Sequence, residues 1–211
     1  MLLHKWIRLE RKEAEEALEK IGSKQENIVF SKDLTDVSYK TLPFYTNYKL
    51  YKLINYATMP VFTMYYIGNG DDFIAINGLA NPIYEANEKD PIHLTSANAV
   101  SYLKFFFRYV QGSEGEVFLV TEASAIPHVD SLSLAKQKEI LSVFEPLKME
   151  VITGDEIYFK MKAHILYGDA LIRTGVTVTV KGTISFDEQE IAVSGITLPN
   201  SMYKEREYDF F

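Results

Sequence analysis

Residues 157–180 read IYFKMKAHILYGDALIRTGVTVTV, and this stretch decides the fold. Gly168 and Asp169 form a two-residue hairpin loop with glycine at the first central position, as a type II′ turn wants. The loop sets the register. It pairs Ile165 with Ile172, Met161 with Val176, Phe159 with Val178, and Ile157 with Val180. The opposite face pairs Lys160 with Thr177 and His164 with Arg173. One face is wholly apolar and the other largely polar, the mark of an antiparallel sheet half exposed. Beyond it, Ile184 and Phe186 are expected to pair with Val193 and Ile191 across a turn at 187–190. Gly182 would then face Gly195 at a bend.

Against this sheet the sequence sets a helix. Residues 92–112, IHLTSANAVSYLKFFFRYVQG, place Ser101, Lys104, Arg108 and Gln111 on one narrow polar stripe at about 100° per residue. Val100, Leu103, Phe106, Phe107 and Val110 form an apolar face, and Tyr102, Phe105 and Tyr109 an aromatic one. Thr95 or Ser96 is the expected cap and Gly112 the expected left-handed stop. A surface helix usually carries a single apolar stripe. This one needs cover on two sides, from its own sheet and from a second layer of the chain or a second subunit.

The remaining chain frames these two pieces. Residues 5–21 predict a first helix, with Trp6, Leu9, Ala14, Ala17, Leu18 and Ile21 at helical spacing and Gly22 as the stop. Residues 23–46 are polar and read as a connection. Residues 48–56 favour a strand by alternation, and 61–67 and 73–77 bracket GNGDD as a hairpin. Pro82 and Pro91 suggest an edge strand near 83–86. Residues 116–121 read as a strand. Asp130 or Ser131 is placed to cap a third helix, with Leu132, Ile140, Leu141 and Phe144 inward and Pro146 as its end. The aromatic tail, residues 201–211, is expected to dock.

The fold class is therefore α+β, a bent antiparallel sheet packed against a central helix (about 96–111) and two flanking helices. It forms a single domain over 1–211, or two lobes, 1–125 and 126–211.

Composition narrows the function. Lys plus Arg number 22 against 29 Asp plus Glu, a formal charge of −7 with no basic run. That argues against a nucleic-acid partner and against an anionic membrane surface. With no cysteine, disulfides, thiolate catalysis and Cys-ligated zinc are excluded. No apolar run approaches a membrane span, and the charged start lacks a secretory h-region, so a cytoplasmic address is expected.

Motifs that carry chemistry are few. His4, His93, His128 and His164 show no metal-binding spacing, and no metal or other cofactor is expected. His164 beside Arg173 would be kept neutral by that cation and makes a poor general acid. Ser124, His128 and Asp130 are adjacent in one loop, where a triad would converge from separated segments. GNGDD is explained by turn chemistry without calcium, and no phosphate loop occurs. What remains is aromatic clustering. Tyr102, Phe105 and Tyr109, with Tyr65 and Tyr84, are the candidate ligand or interface residues; an aromatic-rich core is the plainer explanation.

These features lead to a cytoplasmic binding or interaction protein without a catalytic motif, self-associating or docked on a protein partner. The alternative is a small-molecule-binding curved-sheet domain with or without weak hydrolase or isomerase chemistry. The hairpin reading is directly testable. Gly168→Val should lower the melting temperature, because a β-branched residue resists the positive φ of the turn by about 1–2 kcal/mol. An unchanged melting temperature would overturn the register.

Overall fold

The computed structural model describes residues 5–23, 30–113 and 115–196. The chain divides into two compact units, one running to His93 and the other starting at Leu94. Among the described residues there are four α-helices and eleven strands in antiparallel sheets, one of them strongly curled into a half-barrel. The class is α+β with mostly sheet.

In the first unit, β1 (Ile7–Arg8), β2 (Thr35–Thr41), β3 (Lys49–Asn55), β4 (Phe62–Gly68) and β5 (Phe73–Ile76) lie in sequence order as an antiparallel meander. Helix α1 (Arg11–Gly22) lays Ala17, Leu18 and Ile21 on a face built from Val37, Tyr51, Leu53, Tyr66 and Phe73. Helix α2 (Asn81–Lys89) packs on β4 and β5. Its C-cap residue, Asp90, accepts backbone N–H groups of Asn47 at 2.9 Å and Tyr48 at 2.8 Å, and the Asn47 side-chain amide at 3.0 Å. One buried carboxylate thus ties the end of α2 to the start of β3.

The second unit is built on a six-stranded sheet. Its order is β11 (Ile184–Val193), β10 (Ala170–Thr179), β9 (Ile157–Tyr167), β7 (Gly115–Val120), β6 (Gln111–Gly112), with β8 (Lys148–Thr153) also on β9. The β9–β10 hairpin has the register expected from the sequence, from Tyr167 opposite Ala170 to Tyr158 opposite Thr179. Gly168 has φ 59°, as the turn demands. Helix α3 (Ala99–Tyr109) packs on β7. It also bonds the β10–β11 turn, Tyr102 Oη donating to Gly182 O at 2.8 Å, and sets Phe107 5.8 Å from the Phe186 ring. Helix α4 (Leu134–Val143), with 3-10 turns at Ala123–Ala125 and Val129–Ser131, covers Val120, Leu166, Leu171 and Val193 on the sheet's other face.

Several local expectations give way. The stretch near 83–86 is helix, not edge strand, because Pro82 lies in the first turn of α2, where its missing N–H costs nothing. Residues 7–8 form an edge strand, and α1 begins only at Arg11. The polar connection contains a full strand, β2, whose Val37 meets the α1 core. Helix α3 starts at Ala99, with Asn98 at its cap position. Gly112 is not a left-handed stop: a Cβ there would lie 2.5 Å from Tyr167 Oη, so glycine permits a close approach.

Helix α4 is capped by Ser133, whose Oγ accepts from Lys136 N at 3.2 Å, and Leu141 is exposed. The turn expected at 187–190 lies within β11. The actual loop is 180–182, closed by Gly182 N donating to Thr179 O at 2.9 Å and Thr179 N to Thr183 O at 3.0 Å. The period-2 pattern misled because β11 carries two bulges, one beside Leu171/Ile172 and one beside Arg173/Gly175. The tail at 201–211 lies outside the described residues.

Asp90 generates a prediction. Burial raises its pKa, but the N–H groups of Tyr48, Asn47 and Thr46 together outweigh that and hold it below the usual carboxylate value. Its contribution is therefore complete above the unfolded value near pH 4 and lost as pH falls through the lower folded one. Asp90→Ala should cost about 2–4 kcal/mol at neutral pH by urea unfolding, since three charge-assisted bonds go and backbone N–H groups are left unpaired. The cost should shrink as pH falls below the unfolded carboxylate value near 4.

Candidate functional site

The polar face of the β9–β10 hairpin is only half covered. Adjacent strands place their paired residues on one side, giving three rows. The first is Val120, His164, Arg173 and Glu190; the second Lys148, Lys162, Gly175 and Asp187; the third Glu150, Lys160, Thr177 and Ser185. Above the first row, α4 seals the apolar patch at Leu166 and Leu171. Below it the face stays open as a cleft of about 480 Å³.

Three local features make the cleft. Gly175 puts no side chain in the middle row, so the floor there is backbone. The bulge in β11 places Glu188 in the left-handed region, φ 47°, along the rim. Thr174 Oγ1 donates at 3.1 Å to Asp187 O inside that bulge. Glu145 and Pro146, leaving α4, form the upper lip.

His164 stands where the lip meets the floor, with only 2% of its surface exposed. Its ring lies 5.3 Å from that of Phe144. Its Nδ1 is 3.2 Å from Glu145 O. A carbonyl only accepts, so Nδ1 carries the proton and Nε2 keeps its lone pair. Arg173, directly opposite, donates from Nη2 to Val143 O at 3.4 Å and lies 3.6 Å from Glu190. Val143 ends α4, so the cation also meets the negative end of the helix. Two buried atoms, His164 Nε2 and Arg173 Nε, have no hydrogen-bond partner among the described residues.

Charge is divided across the floor. Lys148, Lys160 and Lys162 line the β8–β9 side; Asp187, Glu188 and Glu190 line the β11 side. Lys148 pairs with Glu145 at 3.0 Å, which holds that carboxyl below its usual range. Lys148 and Lys162 are direct cross-strand partners of like charge, an arrangement that destabilises a bare sheet.

The aromatic candidates lie elsewhere. Tyr102 and Phe105 have no exposed surface and Tyr109 has 9%, all on α3 in the second unit. The Phe105 and Tyr109 rings meet tilted, with centroids 5.2 Å apart. Tyr65 is on β4 and Tyr84 on α2, both in the first unit, with Tyr65 6.3 Å from Trp6. The structure brings the three α3 residues together, and assigns each tyrosine of the first unit to its own element. The sequence did pair His164 with Arg173. It missed the opening beside them, for which an isolated glycine inside a strand, Gly175, was the available signal. Among the described residues no group of three His, Asp or Glu side chains is placed to hold a metal ion. No protein-family model, curated protein or solved structure matches the chain.

Burial pushes the His164 pKa down; the bond to Glu145 O works against this and Arg173 adds to it. The unfolded chain takes up a proton near pH 6.5 where the folded chain resists. The stability that neutral His164 contributes is full above that pH and lost as pH falls through its folded value. The groups facing it are Glu145 from the lip, Arg173 from β10 and, beyond it, Glu190 from β11, with Lys162 on its own strand. Between about pH 7.5 and 5.5, the urea-unfolding free energy of the native chain should fall more than that of His164→Phe. Equal slopes would show that His164 titrates in the fold as it does in the unfolded chain, and would overturn the lowered pKa.

Proposed function

We propose that the second unit binds a small polar molecule in this cleft, with His164 and Arg173 at the centre of recognition. The carrying observation is the cleft itself, where three lysines on the β8–β9 side face three carboxylates on the β11 side across a backbone floor at Gly175, with His164 and Arg173 at its upper end. A cleft of this size falls in the usual range for small-molecule sites.

Binding is favoured over catalysis by the lining. Thr174 supplies its one hydroxyl, and that hydroxyl is committed to a backbone carbonyl. No free hydroxyl among the lining residues therefore stands beside His164 as its base. Of the two readings open from the sequence, this supports the small-molecule-binding curved-sheet domain.

A thermal-shift screen of small polar compounds tests it. At a hundred times its Kd, a ligand stabilises the native chain by about 2.7 kcal/mol, a clear rise in Tm. The rise should largely vanish in His164→Phe, and also in Lys162→Ser, each compared with its own ligand-free Tm. Hits that ignore both changes would place binding elsewhere and overturn the proposal.

A further inference from the structure

On the premise that the cleft is the binding site, we infer that it takes a linear ω-amino acid, whose methylene chain holds an ammonium and a carboxylate about 7 Å apart.

The cleft keeps its two signs on opposite walls. Lys148, Lys160 and Lys162 stand on the β8–β9 side, Asp187, Glu188 and Glu190 on the β11 side, and β10 runs between them. Part of this charge is met close at hand. Lys148 pairs with Glu145 at 3.0 Å, and Glu190 with Arg173 at 3.6 Å. Among the described residues, Lys160 and Lys162 form no ion pair, and neither do Asp187 and Glu188. All four are exposed. The walls therefore face one another without closing on each other. Gly175, in register between Lys162 and Asp187, leaves the space between them free of a side chain.

A simple anion is drawn to one wall and repelled by the other, and a simple cation likewise. A molecule with one charge of each sign answers both, provided its ends reach. Adjacent strands lie about 4.8 Å apart, so walls two strands apart are rooted about 10 Å from each other. With ligand and side chains in one line, an ion pair of about 2.8 Å at each end leaves the ligand about 4 Å to span. A ligand resting on top of the two charged tips spans about 10 Å instead. Two charges on one carbon, as in an α-amino acid, stand two bonds or about 2.4 Å apart and fall short of both limits. The six bonds between the charges of 6-aminohexanoate extend to about 7 Å, inside the range.

The floor selects what joins the ends. Strand β10 is bonded to β9 on one side and β11 on the other, which takes up most of its N–H and C=O groups. The Thr174 hydroxyl is committed to Asp187 O. A methylene chain asks nothing of such a floor, whereas a peptide link brings an N–H and a C=O that it does not answer. The carboxylate end also relieves the repulsion between the cross-strand partners Lys148 and Lys162.

The test is a calorimetric titration of the full chain, in which 6-aminohexanoate should bind. Its isomer 2-aminohexanoate carries both charges on one carbon. Hexanoate and hexylamine each keep a single charge, and glycylglycine joins separated charges through a peptide link. Each of these should bind at least about threefold more weakly, the loss expected for one solvent-screened ion pair or one unanswered polar link. Lys160→Ser combined with Lys162→Ser should remove the preference for 6-aminohexanoate over hexylamine. Asp187→Asn combined with Glu188→Gln should remove the preference over hexanoate, and the new amide oxygen can still accept from the Thr177 hydroxyl. The melting curve of each variant checks that it folds.

Equal binding of 2-aminohexanoate would overturn the spacing. Hexanoate or hexylamine matching 6-aminohexanoate would overturn contact with both walls, as would preferences that survive the paired substitutions in folded protein. Glycylglycine matching it would overturn the methylene chain. No binding of 6-aminohexanoate overturns the class, and the polar screen then separates two cases. A screen hit lost in His164→Phe and Lys162→Ser leaves the cleft as a binding site for another chemistry. No such hit means that the facing charges are met by water and salt only, and both proposals fall.

Discussion

Strand β9 is eleven residues long, and no one neighbour covers its outer edge. Strand β7 pairs with residues 164–167 and β8 with 157–162. The chain between β7 and β8 must therefore leave the edge near Val120 and return to it at Lys148. It spends that length on two 3-10 turns and α4, which lie over Leu166, Leu171 and Val193. The return brings Val143 O, at the end of α4, onto Arg173, and Glu145 O, two residues past the helix, onto His164. A helix end always has such carbonyls to satisfy. The divided edge thus decides which half of the sheet face is sealed and which is left open.

The cost of this arrangement shows that it is more than an anchor. An anchor needs one donor on each carbonyl, which His164 Nδ1 and Arg173 Nη2 supply. It does not need a buried lone pair and a buried N–H left over beside them. Two unmet groups cost about 2–6 kcal/mol together, against a whole-domain stability of about 5–15. Glu188 adds a left-handed non-glycine residue on the rim, a further strain of about 1–3 kcal/mol. Departures of this kind from the most stable solution collect where a fold serves another purpose.

Much of this was legible in the sequence, and the failures have physical causes. The β9–β10 hairpin was readable because a strict period of two meets a two-residue turn, and each fixes the other. The aromatic surround of α3 was readable from its helical spacing. Helix α2 was hidden because Pro82 breaks strands and also starts helices, and nearby Pro91 favoured the wrong choice. Strand β2 was hidden because TDVSYKT carries its core contribution on few residues. In β11, each extra residue at a bulge flips the alternation, so a continuous strand read as two arms and a turn. The site followed the same logic. The pairing of His164 with Arg173 came from register, but the opening beside them depends on a missing side chain, Gly175, and on where α4 ends. Pattern reports side chains that are present more readily than one that is absent.

The charge of the cleft is also informative against the charge of the chain. The chain carries −7 overall, which disfavours the approach of a simple anion, yet the four cations lining the cleft, Lys148, Lys160, Lys162 and Arg173, balance its four carboxylates, Glu145, Asp187, Glu188 and Glu190. A site built to capture an anion from an acidic protein would show a local surplus of positive charge to focus it. This one shows none. Its field is a short-range dipole across one strand row, and such a field falls away within a Debye length of about 8 Å at physiological salt. It neither steers nor repels a neutral molecule from afar. It acts only on separated charges already inside the cleft, where walls, lip and backbone floor exclude part of the water that would screen them.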